Sequence, residues 1–174
     1  MATLRIPDKN ITLNDKMEIR KFLDERGIFY ERWETEVSLS WDASQDQVLS
    51  AFAHRLKPFM EKGGYKTADV ISVDTQTPNL DAVRDKFIRE HTHSEDEVRL
   101  FVEGEGVFLF HREDKKDEVF SALCEKGDLI SVPANHKHWF DLGKNPKVRA
   151  IRVFTDEAGW VPHYTNSGID QRYK

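Results

Sequence analysis

The chain has 174 residues, of which 39% are hydrophobic and 33% charged, with a formal net charge of −5. That length can bury a core without disulfides or a partner, and the composition is that of neither a disordered nor a membrane-embedded protein. The acidic balance argues against a general nucleic-acid binder, which needs a cationic surface to displace phosphate counterions, and no apolar run is long enough to span a bilayer. Met1 to Pro7 has neither the basic opening nor the apolar stretch of a secretory signal, so a cytoplasmic location is expected. The single cysteine, Cys124, excludes an internal disulfide framework, and within apolar Ala122-Leu123-Cys124 it reads as a small buried hydrophobe rather than a nucleophile.

In chain order, Asn14 to Arg26 carries Met17, Ile19, Phe22 and Leu23 at helical spacing, and Gly27 supplies a stop. Ile28 to Trp33 reads as extended. Gln45 to Lys62 is a second helix, with a stripe of Val48, Leu49, Phe52, Leu56, Phe59 and Met60 that ends at Gly63-Gly64. Ala68 to Val73 is extended again, and a short helix over Leu80 to Phe87 follows. From about Glu90 the texture becomes β-rich: Glu97 to Val102, Val107 to His111, Glu118 to Cys124, Leu129 to Val132, Trp139 to Leu142 and Val148 to Phe154. Gly104-Glu105-Gly106 is expected as a hairpin connection, Glu113 to Asp117 as a charged one, and Gly143 to Pro146 as a turn. These runs predict an antiparallel sandwich or barrel with the helices packed on it. One domain over 1–174 is expected, with a mixed part at 1–89, a β core at 90–160 and a tail at 161–174.

The chemistry concentrates in Glu90-His91-Thr92-His93-Ser94-Glu95-Asp96-Glu97. Two residues apart on a strand, His91 and His93 face the same way and can share a metal, and Glu97 can return to it across the polar turn. Downstream, Gly127 to Phe140 runs from a glycine turn through a strand and a Pro133 turn to His136 and His138, either of which could be a fourth ligand. Arg99 follows Glu97 by two and points to the same side, while alternation puts Arg152 on the face of Val148, Ala150 and Phe154. A charge there needs either an acidic partner or an anionic ligand.

The two segments resemble the paired cupin motifs, His-x-His-x-x-x-Glu and Gly…Pro…His. Phe87 to Gly104, Cys124 to Val132 and Arg149 to Trp160, with Phe29 to Trp33 and Lys62 to Tyr65, are similar to stretches of bacterial acireductone dioxygenases. The Arg112 to Asp117 connection is a few residues longer than in those relatives, which a charged hairpin tip tolerates. The resemblance implies a cupin β-barrel (jelly-roll, or double-stranded β-helix) with N-terminal helices outside.

It also implies metal ligands at His91, His93, Glu97 and His138, with Trp139-Phe140 supporting His138 over its rival His136. His54, His111 and His163 are expected to be solvated or structural. The implied cofactor is one Fe(2+) or Ni(2+) per chain, and the implied substrates are an anionic ene-diol, acireductone, and O2. Four ligands leave an octahedral ion two adjacent positions for a chelating substrate, whereas zinc would accept the same set as a closed tetrahedral site. The resemblance assigns Arg99 and Arg152 to charge balance. It makes Phe87, Phe140 and Trp160 candidates for an apolar wall around the methylthio tail, with ordinary core as the alternative. Competing functions are a zinc cupin isomerase and a non-enzymatic metal- or ligand-binding cupin. A monomer suffices for all of them. Protonation of ligand histidines of ordinary pKa, about 6.5, is expected to lower activity below about pH 6.

Overall fold

A computed structural model describes residues 2–34, 37–156 and 160–173. The chain opens with β1 (Thr3–Ile6) and β2 (Ile11–Leu13), two short strands not expected from sequence, where Leu4 and Ile6 alternate inward around a Pro7 turn. Helix α1 (Lys16–Asp24) starts on Asp15, whose Oδ1 accepts the Met17 and Glu18 N–H groups, and stops at Gly27 in the left-handed region. After β3 (Phe29–Arg32), α2 (Gln45–Gly63) begins with a Ser44–Gln47 capping box and ends on left-handed Gly64. There follow β4 (Thr67–Asp74), α3 (Leu80–Ile88), β5 (His91–Thr92), β6 (Glu97–Arg112), β7 (Glu118–Glu125), β8 (Asp128–Val132), β9 (His138–Asp141), β10 (Lys147–Phe154) and β11 (His163–Tyr164). No described helix is long and apolar enough to cross a membrane.

The strands form two antiparallel layers that share β6. One runs β11-β5-β9-β6-β7-β1-β2 and the other β4-β10-β6-β8-β3. Period-two alternation along β6 divides its residues between two environments. Val98, Leu100 and Val102 turn outward and pack, with Leu129, Ile151 and Val153, against Val48, Phe52 and Leu56 of α2. Each of those three α2 side chains contributes roughly 1.5–3 kcal/mol by leaving water. Phe101 turns inward to Phe108, Phe110, Phe120, Ile130, Val132 and Phe140, while Ile19 and Leu23 of α1 and Phe87 of α3 join from outside. The expected mainly β barrel with helices packed on its exterior is therefore observed. Cys124 is a wholly buried member of this core, and burial pushes its thiol well above the ordinary range.

One turn expectation is corrected. Gly104-Glu105-Gly106 is not a hairpin, because β6 continues through it and changes partners from β8 and β10 to β7 and β9. The glycines are needed for close approach at this bend. A Cβ on Gly104 (φ +71°) would lie 1.7 Å from the Lys147 carbonyl oxygen, and one on Gly106 would lie 2.1 Å from Cζ of Phe140. A register shift against β10 accompanies the bend, since consecutive Arg149 and Ala150 pair with Glu103 and Phe101 and Val102 of β6 is the extra residue. Gly104→Ala should cost at least about 2 kcal/mol from backbone strain alone, measurable by urea denaturation.

Arg26, just beyond α1, donates from Nε (2.9 Å) and Nη2 (3.1 Å) to the Glu118 carboxylate of β7. That pairing holds the Glu118 carboxyl below its ordinary range, ahead of the opposing effect of burial. A depressed folded pKa means the unfolded chain binds the proton more tightly. The stabilisation is therefore present above the unfolded value of about 4.3 and lost as pH falls through the folded value. Glu118→Gln should lose about 1–2 kcal/mol at pH 7, and the gap from the parent protein should close on acidification in urea melts below pH 4.

Candidate metal centre

The centre sits where the ends of three strands meet. β5 pairs with β9 so that His91 and His138 are register partners, and His138 also faces Phe110 of β6. Glu97 opens β6 opposite Val132 of β8. The loop between β5 and β6 carries His93, whose carbonyl accepts the Asn135 N–H at 2.8 Å and so ties the two motif loops together. His91, His93, Glu97 and His138 are all buried, and one potential ligand atom from each lies within 4.8 Å of the others.

Each imidazole is oriented by a backbone carbonyl. Nδ1 of His91 lies 2.6 Å from the Arg89 oxygen, that of His138 2.8 Å from the His136 oxygen, and that of His93 3.3 Å from the Val161 oxygen. A carbonyl can only accept, so in each contact Nδ1 carries the hydrogen and the Nε2 lone pair is left for the centre. Nε2 of His93 and of His138 lie 3.0 and 2.9 Å from the same Glu97 oxygen, Oε2. Unprotonated nitrogens and a carboxylate oxygen at that spacing are all electron-pair donors with no hydrogen to share. A cation fits among them, and three neutral imidazoles with one carboxylate form a donor set for a divalent transition metal.

The electrostatics agree. Burial, and then the neighbouring His138, push the His91 imidazole down to about 3, so proton competition below pH 6 does not apply to this ligand. Burial, the largest single influence, opposes the charged form of Glu97, but the adjacent Arg99 charge and the contacts from His138 and His93 together outweigh it and hold the carboxyl well below its usual range. Arg99 Nε stands 2.7 Å from Glu97 Oε1, an ion-pair contact without the alignment of a hydrogen bond.

Residues 6–162 match the family model of the ARD/ARD′ family. The chain belongs to that family. It is 49% identical over its full length to the acireductone dioxygenase of Picosynechococcus sp., covering 98% of that protein, and 43% identical over 95% of its length to that of Aquifex aeolicus, covering 87%. The acireductone dioxygenase from Bacillus anthracis, solved with a cadmium ion in its active centre, superposes with a TM-score of 0.85 at 37% identity, covering 94% of this chain and 98% of that one. The chain is thus a cupin-fold enzyme with acireductone dioxygenase activity, and His91, His93, Glu97 and His138 form its metal-binding site.

In this ARD/ARD′ chain the rivalry between His136 and His138 is settled by position. The His136 ring lies outside the cluster, pushed to about 4 by burial and by His138, and its carbonyl rather than its ring serves the centre. His54 and His163 are exposed, whereas His111 is buried and paired with Glu90 at 2.5 Å. A narrow cavity beside the ligands is lined by Lys86, Phe87, His91, His93, Arg99, Arg152, Trp160 and Pro162. Arg152 reaches it while bound by both oxygens of Asp69, at 2.8 and 2.5 Å, and it is the cross-strand partner of Arg99. Phe140 does not line the cavity. Its buried ring lies behind Arg99, 4.7 Å from the guanidinium carbon, and Phe87 and Trp160 lie 5.3 and 5.9 Å from the same atom.

Two supporting residues escaped the sequence reading. Glu90 is buried and accepts from Ser167 Oγ at 2.7 Å and from Thr165 Oγ1, which fastens the segment carrying β11 beside His91. Asp96 accepts the Ala134 N–H at 3.0 Å and the Tyr65 hydroxyl at 3.3 Å, a second staple between the motif loops. Their only local signal was adjacency to ligands in a polar motif, since their partners lie 21–77 positions away. His138→Ala should weaken metal binding by more than the roughly 10–100-fold typical of losing a hydrogen bond behind a ligand, whereas His136→Ala, which retains its carbonyl, should weaken it by less than about 10-fold. Competition with a chelator measures both.

Proposed function

We propose that His91, His93, Glu97 and His138 hold one Fe(II) or Ni(II), and that the chain cleaves 1,2-dihydroxy-3-keto-5-methylthiopentene with O2 in methionine salvage. In this reading the iron form yields formate and 4-methylthio-2-oxobutanoate, and the nickel form yields formate, carbon monoxide and 3-(methylthio)propanoate. The observation that supports it is the convergence of Nε2 of His93 and of His138 on one Glu97 oxygen, at 3.0 and 2.9 Å, while each Nδ1 faces a backbone carbonyl. Once bound there, such an ion would supply Lewis-acid chemistry toward an ene-diolate and dioxygen.

The chain's own residues bind and orient. Arg99 offsets the charge of Glu97 and, from the same cavity, that of an anionic substrate. Arg152 is largely neutralised by Asp69, so its part is a hydrogen-bonding edge held in place rather than a full free charge. Phe87 and Trp160 form the wall for the methylthio tail, while Phe140 backs Arg99 and keeps its guanidinium on the cavity side. Lys86 to Phe87, at the end of α3, and Trp160 to Pro162 close over the ligands and limit water around the substrate. One domain over 1–174, acting as a cytoplasmic monomer, is sufficient for this activity.

A zinc-filled isomerase or a non-enzymatic binding protein would use the same four donors, and chemistry separates them from the dioxygenase. Metal analysis of freshly purified protein should find iron or nickel near one per chain, with rapid oxygen uptake when acireductone is generated in situ. His138→Ala should abolish the uptake. The products should switch between the two sets when apoprotein is reconstituted with each metal. Stoichiometric zinc, with no uptake after iron or nickel reconstitution, would remove the dioxygenase reading. Arg99→Met should lower kcat/KM by roughly 100-fold or more, the scale of losing one preorganised electrostatic contact, and Arg152→Met should cost less because Asp69 already screens it.

A further inference from the structure

A second cavity, of about 560 Å³, lies away from the substrate side, between β3, the end of α2 and the loop that carries the metal motif. Its volume is that of a small-molecule site. Four aromatic residues line it. Phe59 stacks on Tyr65 at 5.6 Å and meets Trp33 edge-on at 5.8 Å, and Phe29 stands 6.2 Å from Phe59 while remaining 38% exposed. β3 produces this arrangement because alternation from Phe29 through Glu31 to Trp33 turns these three side chains toward α2 while Tyr30 turns into the barrel.

Two carboxylates are fixed in the same cavity by the polar tips of its aromatic residues. The Trp33 indole N–H donates to Glu31 Oε2 at 3.0 Å, and the Tyr65 hydroxyl donates to Asp96 Oδ2. Among the described residues neither carboxylate forms an ion pair, whereas Asp69, Glu118 and Asp128 each meet an arginine. The C-terminal end of α2, which also borders the cavity, adds the partial negative charge of its last carbonyls. Lys62 is the cavity's one cationic lining residue; it is exposed and paired with neither acid.

We propose that this cavity is a second ligand site, for a small organic cation with an aryl or alkyl body, such as a primary ammonium. Aromatic faces attract a cation through their quadrupoles, and carboxylates already held in place orient it without further ordering cost. The site does not depend on which metal or substrate the catalytic centre uses. Through Asp96, which also holds the Ala134 N–H, its occupant would touch the staple between the two metal-bearing loops.

The test is saturation-transfer NMR on the metal-loaded enzyme, with phenethylammonium as probe and phenylpropionate as the anion of matched shape. Saturable binding of the cation, much weaker binding of the anion, and no competition with acireductone in oxygen-uptake assays are expected. Glu31→Gln keeps an acceptor for the Trp33 N–H and should weaken the cation roughly tenfold, the scale of one lost charge-assisted contact. Phe29→Ala, at a position 38% exposed, should weaken it as well. Equal binding of both probes, no binding of the cation at about 10 mM, indifference to both substitutions, or competition with acireductone would each overturn the proposal.

Discussion

Four electron-pair donors placed together in a buried pocket repel one another unless a positive charge lies between them, and much of the molecule serves to hold them there. His93 and His138 cannot relieve the repulsion by turning, because each Nδ1–H is engaged by a backbone carbonyl. Glu97 cannot swing out of the cluster, because Arg99 stands on its other oxygen and both side chains are buried. Burial that would be costly for an isolated carboxylate is offset by this neighbouring guanidinium and by the cation the site is built to take.

The strand framework converts that local requirement into a fold-wide one. β6 belongs to both sheets, so one strand delivers Glu97 and Arg99 to the metal end and Phe108 and Phe110 to the core. Its bend at Gly104 to Gly106 depends on two missing side chains, one where Lys147 passes and one where the Phe140 ring lies. Phe140 in turn backs Arg99, so the packing at the bend and the charge beside the ligands meet in one residue. α2 covers the outward face of the same strand, and its far end borders the aromatic cavity next to Asp96.

The two arginines illustrate how tertiary partners set a charge's role. Both line the cavity beside the metal ligands and are paired across strands, yet Arg99 is buried against a metal ligand whereas Arg152 is half-buried and gripped by Asp69 from β4. Alternation along their strands put both on the correct face, but could not say that Asp69, 83 positions away, would neutralise one of them.

Local periodicity determined a good deal by itself: three helices and the stops of the first two, most of the strands, and the facing of His91, Glu97 and Arg99, because side-chain direction follows directly from strand and helix repeats. Motif resemblance supplied the cupin barrel and the choice of His138. The short strands at Thr3–Ile6 and Ile11–Leu13 were not legible, since three or four residues carry too little pattern and their stability comes from pairing, of the first with β7 and of the second with the first. The continuity of β6 was hidden because glycines that allow close approach look, in sequence, like glycines that make a turn. The Glu90 and Asp96 staples, the His111 pairing and the aromatic cavity were decided by tertiary structure alone, because each joins residues distant in the chain whose proximity depends on sheet register and helix docking rather than on any local preference.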